Sequence, residues 1–163
     1  MKRILSLLSV ALVCTMSWAE VSYNVIPLPR SIQLSPKGES YTLQQGAIVT
    51  YPADNAQLAS NAQLLAEYLK LDADFSIVPQ ADVKKGAAIT LCLGLKNDNP
   101  DAYLLTVGKR GVTIQGATEE GVFRGLITLR KAIGTEGGPQ LLLPYVTIQD
   151  KPRFPYRGVH FDT

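Results

Sequence analysis

Few side chains in this 163-residue chain have the types and spacing that covalent or metal chemistry needs. The one histidine, His160, stands in a terminal run of large β-forming residues without a partner base or ligand nearby, and reads as a packed strand residue. Cys92 lies in the apolar run 89–93 with no histidine or basic residue near in sequence to lower its pKa, so it reads as a buried, inert thiol. The carboxylates are scattered. The two close pairs, Asp72/Asp74 and Glu119/Glu120, suit a turn and a helix start. The sequence holds no glycine-rich phosphate loop leading to a lysine, no Cys/His spacing for a metal and no histidine free to serve a nucleophile, so it calls for no cofactor and no metal.

The elements that would position any site begin after a leader. Lys2 and Arg3 precede the apolar residues 4–16, and Ser17-Trp18-Ala19 has small residues at its first and third places. This run is shorter than the roughly 20 apolar residues that cross a bilayer, so residues 1–19 are expected to be a signal peptide cleaved after Ala19, not an anchor. The bulky Val13 argues against lipid attachment at Cys14. The expected location is periplasmic, cell-surface or extracellular. The chain has 16 Lys and Arg against 14 Asp and Glu, a formal net charge of +2. Losing Lys2 and Arg3 brings the two counts level, which removes any electrostatic case for nucleic acid or anionic lipid as partner. Losing Cys14 leaves Cys92 alone, with no intrachain disulfide to form.

Residues 20–150 suffice for one domain with a single core. Pro27, Pro29, Pro36, Gly38 and Gly46 punctuate residues 24–50, and the apolar pieces 31–34, 41–43 and 47–51 between them suit short strands. Leu58, Ala62, Leu65 and Leu69 recur at helical spacing, capped by Asp54 or Asn55. Residues 75–78, 87–93, 103–107 and 111–115 read as strands, the last two joined by the turn Gly108-Lys109-Arg110-Gly111. Thr118 offers a cap for a second helix with Glu119 and Glu120 in its first turn and Val122, Phe123, Leu126, Leu129 and Ile133 as its apolar face. Gly121 and Gly125 would let that helix lie close to a sheet. Gly134 and Gly137-Gly138 are expected to end it, and residues 141–148 to return as strand. This order implies an α+β fold: a mixed, mainly antiparallel sheet with two helices packed on one face. Tyr41, Tyr51 and Tyr103, which have the rings to stack on a sugar, sit in apolar strand contexts that burial explains.

Residues 151–163 differ. Pro152 and Pro155 bracket Arg153 and Phe154, and Tyr156, Val159 and Phe161 are then expected to begin a strand that needs partners beyond Thr163, as at a domain junction. Three segments resemble the N-terminal part of the family 20 glycoside hydrolases, the β-N-acetylhexosaminidases. NVIPLPRSIQL resembles the family's Ile-Pro-x-Pro entry to an accessory domain. DAYLLTVGKRGVTIQGATEEGVFRGLITLRKAI resembles its strand, hairpin strand and Gly-x-Phe-x-Gly-Leu-x-Thr-Leu helix. DKPRFPYRGVHFDT resembles its Pro-Arg-Phe junction into the first strand of a (β/α)₈ barrel.

After the expected signal peptide at 1–19, the resemblance implies a non-catalytic α+β domain at 20–150 and the incomplete start of a catalytic barrel at 151–163. Family members remove terminal β-linked N-acetylglucosamine or N-acetylgalactosamine from oligosaccharides and glycoconjugates with retention, the substrate's own 2-acetamido oxygen acting as nucleophile. An adjacent Asp-Glu pair orients that group and protonates the leaving oxygen. No adjacent Asp-Glu pair occurs in this chain, so the resemblance places no catalytic residue here and implies that the 163 residues alone are inactive. It does place one substrate-binding residue, Arg157, matching the arginine that holds sugar hydroxyls through its planar fork of donors, with Asp162 able to pair with it. Arg153 stays a turn residue. Glycosidases of the O-GlcNAcase type resemble the chain up to Arg157-Gly158, but Val159-His160-Phe161-Asp162-Thr163 follows the hexosaminidase pattern. A stand-alone module that binds glycan without catalysis is the alternative from another class.

Overall fold

A computed structural model describes residues 19–20, 22–44, 46–69, 76–80, 86–133 and 140–154. Their elements run β1 (Ala19–Glu20), β2 (Ser31–Leu34), β3 (Ser40–Gln44), β4 (Ile48–Tyr51), α1 (Ala56–Leu69), β5 (Ser76–Pro79), β6 (Ile89–Leu93), β7 (Tyr103–Gly108), β8 (Gly111–Gly116), α2 (Glu119–Ile133), β9 (Gln140–Pro144) and β10 (Val146–Asp150). The leader, the helix-ending glycines Gly134, Gly137 and Gly138, and the barrel strand expected within 155–163 fall outside the described residues, apart from Ala19.

The helices form where the apolar period requires them. α1 buries Leu58, Ala62, Leu65 and Leu69. The Leu58 N–H donates to Asn55 Oδ1 at 2.9 Å, so Asn55 provides the cap. α2 buries Val122, Leu126 and Leu129. Phe123 and Ile133, expected on the same face, are only half-buried. Phe123 follows Val122 by one helical step and cannot share its direction, and Ile133 is the last helical residue. The Thr118 hydroxyl accepts the Gly121 N–H at 3.5 Å and donates to Pro100 O at 2.7 Å, tying the start of α2 to the preceding loop.

The larger sheet has seven strands in the order β2-β10-β7-β8-β6-β4-β5. Pairing is antiparallel from β2 to β8 and parallel from β8 to β5. Local connections explain both halves. β7 and β8 are joined by the two residues Lys109 and Arg110, with Gly111 at φ 117° taking the left-handed backbone the turn requires, whereas α1 carries the chain between parallel β4 and β5. Both helices pack side by side on one face of this sheet, α1 over β4 to β6 and α2 over β6 to β8.

The single strand expected over 141–148 is two strands in two sheets. β9 joins β1 and β3 in a three-stranded sheet, and β10 joins the large one. The break is Tyr145: its N–H donates to Glu39 O and its carbonyl accepts from Ser35 N–H, both at 2.8 Å, where residues 35–39 interrupt the partner ribbon between β2 and β3. Pro144, just before it, has no N–H with which to continue a ladder. Leu43, Leu141 and Leu143 of the small sheet bury into the same core cluster as the helix–sheet layer.

Register sorts the large sheet's faces. Val146, Val107, Val112, Ile89 and Val49 lie opposite one another across five strands, all buried toward the helices. One residue along, Thr147, Thr106, Thr113, Thr90 and Thr50 form the matching row on the other face. Side chains alternate along each strand, so this pairing delivers one apolar and one hydroxyl-bearing face.

α2 reaches this close only through its glycines. A Cβ on Gly125 would stand 2.6 Å from Ile114 Cγ2, and one on Gly121 would press into the backbone carbonyl of Ala102. A flexible side chain can yield, but a backbone oxygen held in a loop yields less. In an open helix Gly→Ala stabilises by about 1 kcal/mol. Here Gly121→Ala should destabilise by about 1–3 kcal/mol, measured by urea unfolding; a gain in stability would show that the close contact is not limiting.

Candidate functional site

The chain leaves β10 at Asp150 beside a cleft of about 520 Å³ between α2, the loop at 25–30 and the exit residues up to Phe154. Three long-range hydrogen bonds assemble it. Lys131 Nζ donates to Ile26 O at 2.8 Å, Arg30 N–H donates to Asp150 Oδ1 at 3.1 Å, and Arg30 Nε donates to Lys151 O at 3.2 Å. The Pro-punctuated loop, which includes a cis Ile26-Pro27 bond, is therefore held against the helix and the strand end. At the floor, Tyr103 and Thr128 share a buried hydroxyl–hydroxyl bond of 2.7 Å. Burial is the main cause that pushes the Tyr103 pKa up to about 12; the Thr128 bond opposes the shift and the Asp150 charge adds to it. The phenol stays protonated and can only give or accept hydrogen bonds.

Large apolar side chains stand exposed on the loop and at the exit, beside the charged lining residues Asp101, Arg124, Lys131 and Asp150. Ile26 is 84%, Leu28 67% and Phe154 69% exposed. Of the charges lining the cleft, Arg124 lies 2.6 Å from Glu120 and 4.0 Å from Asp101, and Lys131 is held on the Ile26 carbonyl. Such a site can hold a partner surface, but among the described residues it offers no acid–base pair and no nucleophile with a base. No cluster of three or more metal-ligating side chains occurs among the described residues.

The residues singled out from sequence scatter. Arg157, His160 and Asp162 lie outside the described residues, as do Asp72 and Asp74, while Arg153 is an exposed bend residue beside the cleft mouth. Cys92 is half-buried, not fully buried; burial still raises its pKa and its thiol donates to Ile114 O at 3.8 Å, which keeps it unreactive. Tyr103 is buried, and Tyr41 and Tyr51 are half-buried. The sequence reading missed Ile26 and Phe154 as lining residues of one cleft, and Leu28 as an exposed residue of its loop. Large apolar residues spaced among prolines, where no ladder can take them, were the available signal.

Glu119 does more than face a helix dipole. Its carboxylate accepts from Asn55 Nδ2 at 2.7 Å and its backbone carbonyl from Asn61 Nδ2 at 3.1 Å, so one residue joins the starts of both helices. The Asn55 bond, and then its own backbone N–H, hold the carboxyl below the usual glutamate pKa.

A family model described as glycosyl hydrolase family 20, domain 2, matches residues 22–151. The β-hexosaminidase of Porphyromonas gingivalis is 33% identical over 150 residues, covering 85% of this chain and 18% of the relative. Among solved structures, the GH20 β-N-acetylhexosaminidase of Streptomyces coelicolor A3(2) superposes with a TM-score of 0.73 at 27% identity, over 85% of this chain and 29% of that one. The N-acetyl-β-hexosaminidase of Streptomyces plicatus in complex with Thio-NAglucal gives 0.68 at 28% identity, over 82% and 27%. The chain thus spans less than a third of the length of each of these relatives. No helix among the described residues is long and apolar enough to cross a membrane.

A carboxyl whose pKa is lowered by folding adds stability that is complete above the unfolded glutamate pKa of about 4.3 and is lost as pH falls through the folded value. Glu119→Gln should therefore melt below the parent protein at pH 7, and the gap should close between about pH 5 and pH 3. A gap that does not change with pH would remove the carboxylate from this role.

Proposed function

The chain belongs to glycosyl hydrolase family 20 through that family's domain 2, and on that premise we propose that it is the N-terminal, non-catalytic portion of an exported β-N-acetylhexosaminidase. The observation that carries the reading is the family match across residues 22–151, nearly all of the described fold. The enzyme would remove terminal β-linked N-acetylglucosamine or N-acetylgalactosamine. The 2-acetamido oxygen attacks the anomeric carbon as the glycosidic bond breaks, an enzyme Glu gives the leaving oxygen its proton, and water then opens the oxazolinium with retention. Those groups belong to a downstream barrel. From this chain, Arg157 would hold sugar hydroxyls, with Asp162 steadying its guanidinium.

Two features support the division of labour. The titratable groups around the exit cleft are engaged with one another and with backbone, not poised for chemistry. The exposed Ile26, Leu28 and Phe154 flank the point where the chain leaves β10, which suits a surface meant to be covered by a following domain. Export, with removal of residues 1–19, rests on the charged, apolar and small-residue order of the first 19 positions.

Reading the coding DNA past Thr163 tests the assignment: a continuing frame with an adjacent Asp-Glu pair supports it, and a stop codon with no such frame nearby overturns it. Purified residues 20–163 should release no nitrophenol from a nitrophenyl N-acetylglucosaminide, and measurable turnover would refute the absence of catalytic groups. The same protein should brighten a hydrophobic dye, with Leu28→Ser plus Phe154→Ser cutting the signal about twofold or more. An unchanged signal would place the exposed apolar surface elsewhere.

A further inference from the structure

A second cleft, of about 650 Å³, opens where β2 passes into β3. Its floor exists because the apolar layer is wider than the helices. Leu34 lies opposite Val146, which lies opposite Val107, and both valines are buried. Leu34 shares their face yet is 59% exposed, since the helices pack over β4 to β8 and stop short of β2. Ile32, two residues earlier on the same face, is half-buried beside it.

Tyr145 completes the floor. Hydrogen bonds to Glu39 O and from Ser35 N–H hold its backbone on both sides. Its half-buried ring packs on the core, and among the described residues its hydroxyl enters no hydrogen bond. The segment at 22–24 forms the opposite wall, pinned by the Tyr23 hydroxyl donating to Pro144 O at 3.0 Å. The exposed side chains of Asn24, Glu39 and Ser40 stand around this rim.

We infer that this cleft binds a neutral saccharide unit of one or two rings. The C–H face of a pyranose matches the apolar floor of Leu34 and Tyr145, and its hydroxyls match the amide, carboxylate and hydroxyl of the rim. The volume lies within the roughly 300–1,000 Å³ of small-molecule sites. Among the described residues Glu39 is the one charged residue lining the cleft, so phosphate, sulfate and acidic sugars meet a negative charge and no lining cation there. A purely apolar ligand would strip water from Glu39 and Asn24 without replacing their hydrogen bonds. Tyr145 is positioned before the ligand arrives, which lowers the ordering cost of binding. The inference goes beyond the family reading and stands apart from it, because it concerns binding without turnover.

The test is a titration of the isotope-labelled full chain, followed by NMR, with N,N′-diacetylchitobiose, with lactose, and with inorganic phosphate as the anionic control. At least one sugar should give saturable shifts at Asn24, Leu34, Glu39, Ser40 and Tyr145, with a Kd on the order of 1 mM, and phosphate should give none there. Leu34→Ser and Glu39→Gln, both on exposed side chains, should each weaken binding about fivefold or more while leaving Tm within about 2 °C. The inference is overturned if neither sugar gives saturable shifts at these residues, if the shifts fall instead beside Phe154, if phosphate reproduces them, or if both variants bind as tightly as the parent.

Discussion

Across five neighbouring strands, from β10 to β4, a threonine stands opposite a threonine, and the adjacent register line is valine or isoleucine throughout. A slip of one residue in any of these pairings would turn the apolar line toward solvent and bury hydroxyls under the helices. This register is therefore the constraint on which the rest depends: it makes the single floor on which α1 and α2 lie. It also explains Thr50, only 4% exposed at the end of the threonine row, whose hydroxyl has no hydrogen-bond partner among the described residues. Its place is set by register, not by its own contacts.

With the floor defined, the helices are aligned by contacts specific to each end. At their starts, Asn55 caps α1 and also donates to Glu119, the first residue of α2, while Asn61 reaches the Glu119 carbonyl. Further along, the Arg130 guanidinium lies 4.1 Å from the ring centre of Tyr68, stacking one helix on the other. The glycines of α2 then set its height above β7 and β8. These contacts join residues distant in sequence, and among the described residues they leave apolar side chains uncovered at the sheet's edges, Leu34 on β2 and Ile77 on β5, and at the exit of β10.

Much of this fold was legible from residue types. Leucine spacing located α1, the Thr118-Glu119-Glu120 start located α2, and the glycine pair Gly121 and Gly125 correctly anticipated a close approach to the sheet. The Asp54-or-Asn55 alternative could not be closed locally, because either side chain can cap; the Glu119 contact that favours Asn55 comes from 64 residues away. The strand expected over 141–148 was misread as continuous for a similar reason. Its apolar residues run through Tyr145, and only the ribbon at 35–39 shows why the ladder breaks there. The candidate sites were less legible still, since Ile26, Leu28, Leu34 and Phe154 become distinctive only once their neighbours are seen not to cover them.

The sequence by itself determined the periods, caps and turns, and with them the α+β class, because helix and strand preferences act over a few residues. It also determined the family through motifs that can be read in order. The tertiary structure alone decided the split into two sheets, the joining of the helix starts and the shape of both clefts. Those features hang on pairs such as Ile26 with Lys131 and Arg30 with Asp150, separated by 105 and 120 residues. Which distant groups meet depends on how the whole core packs, and no local pattern carries that information.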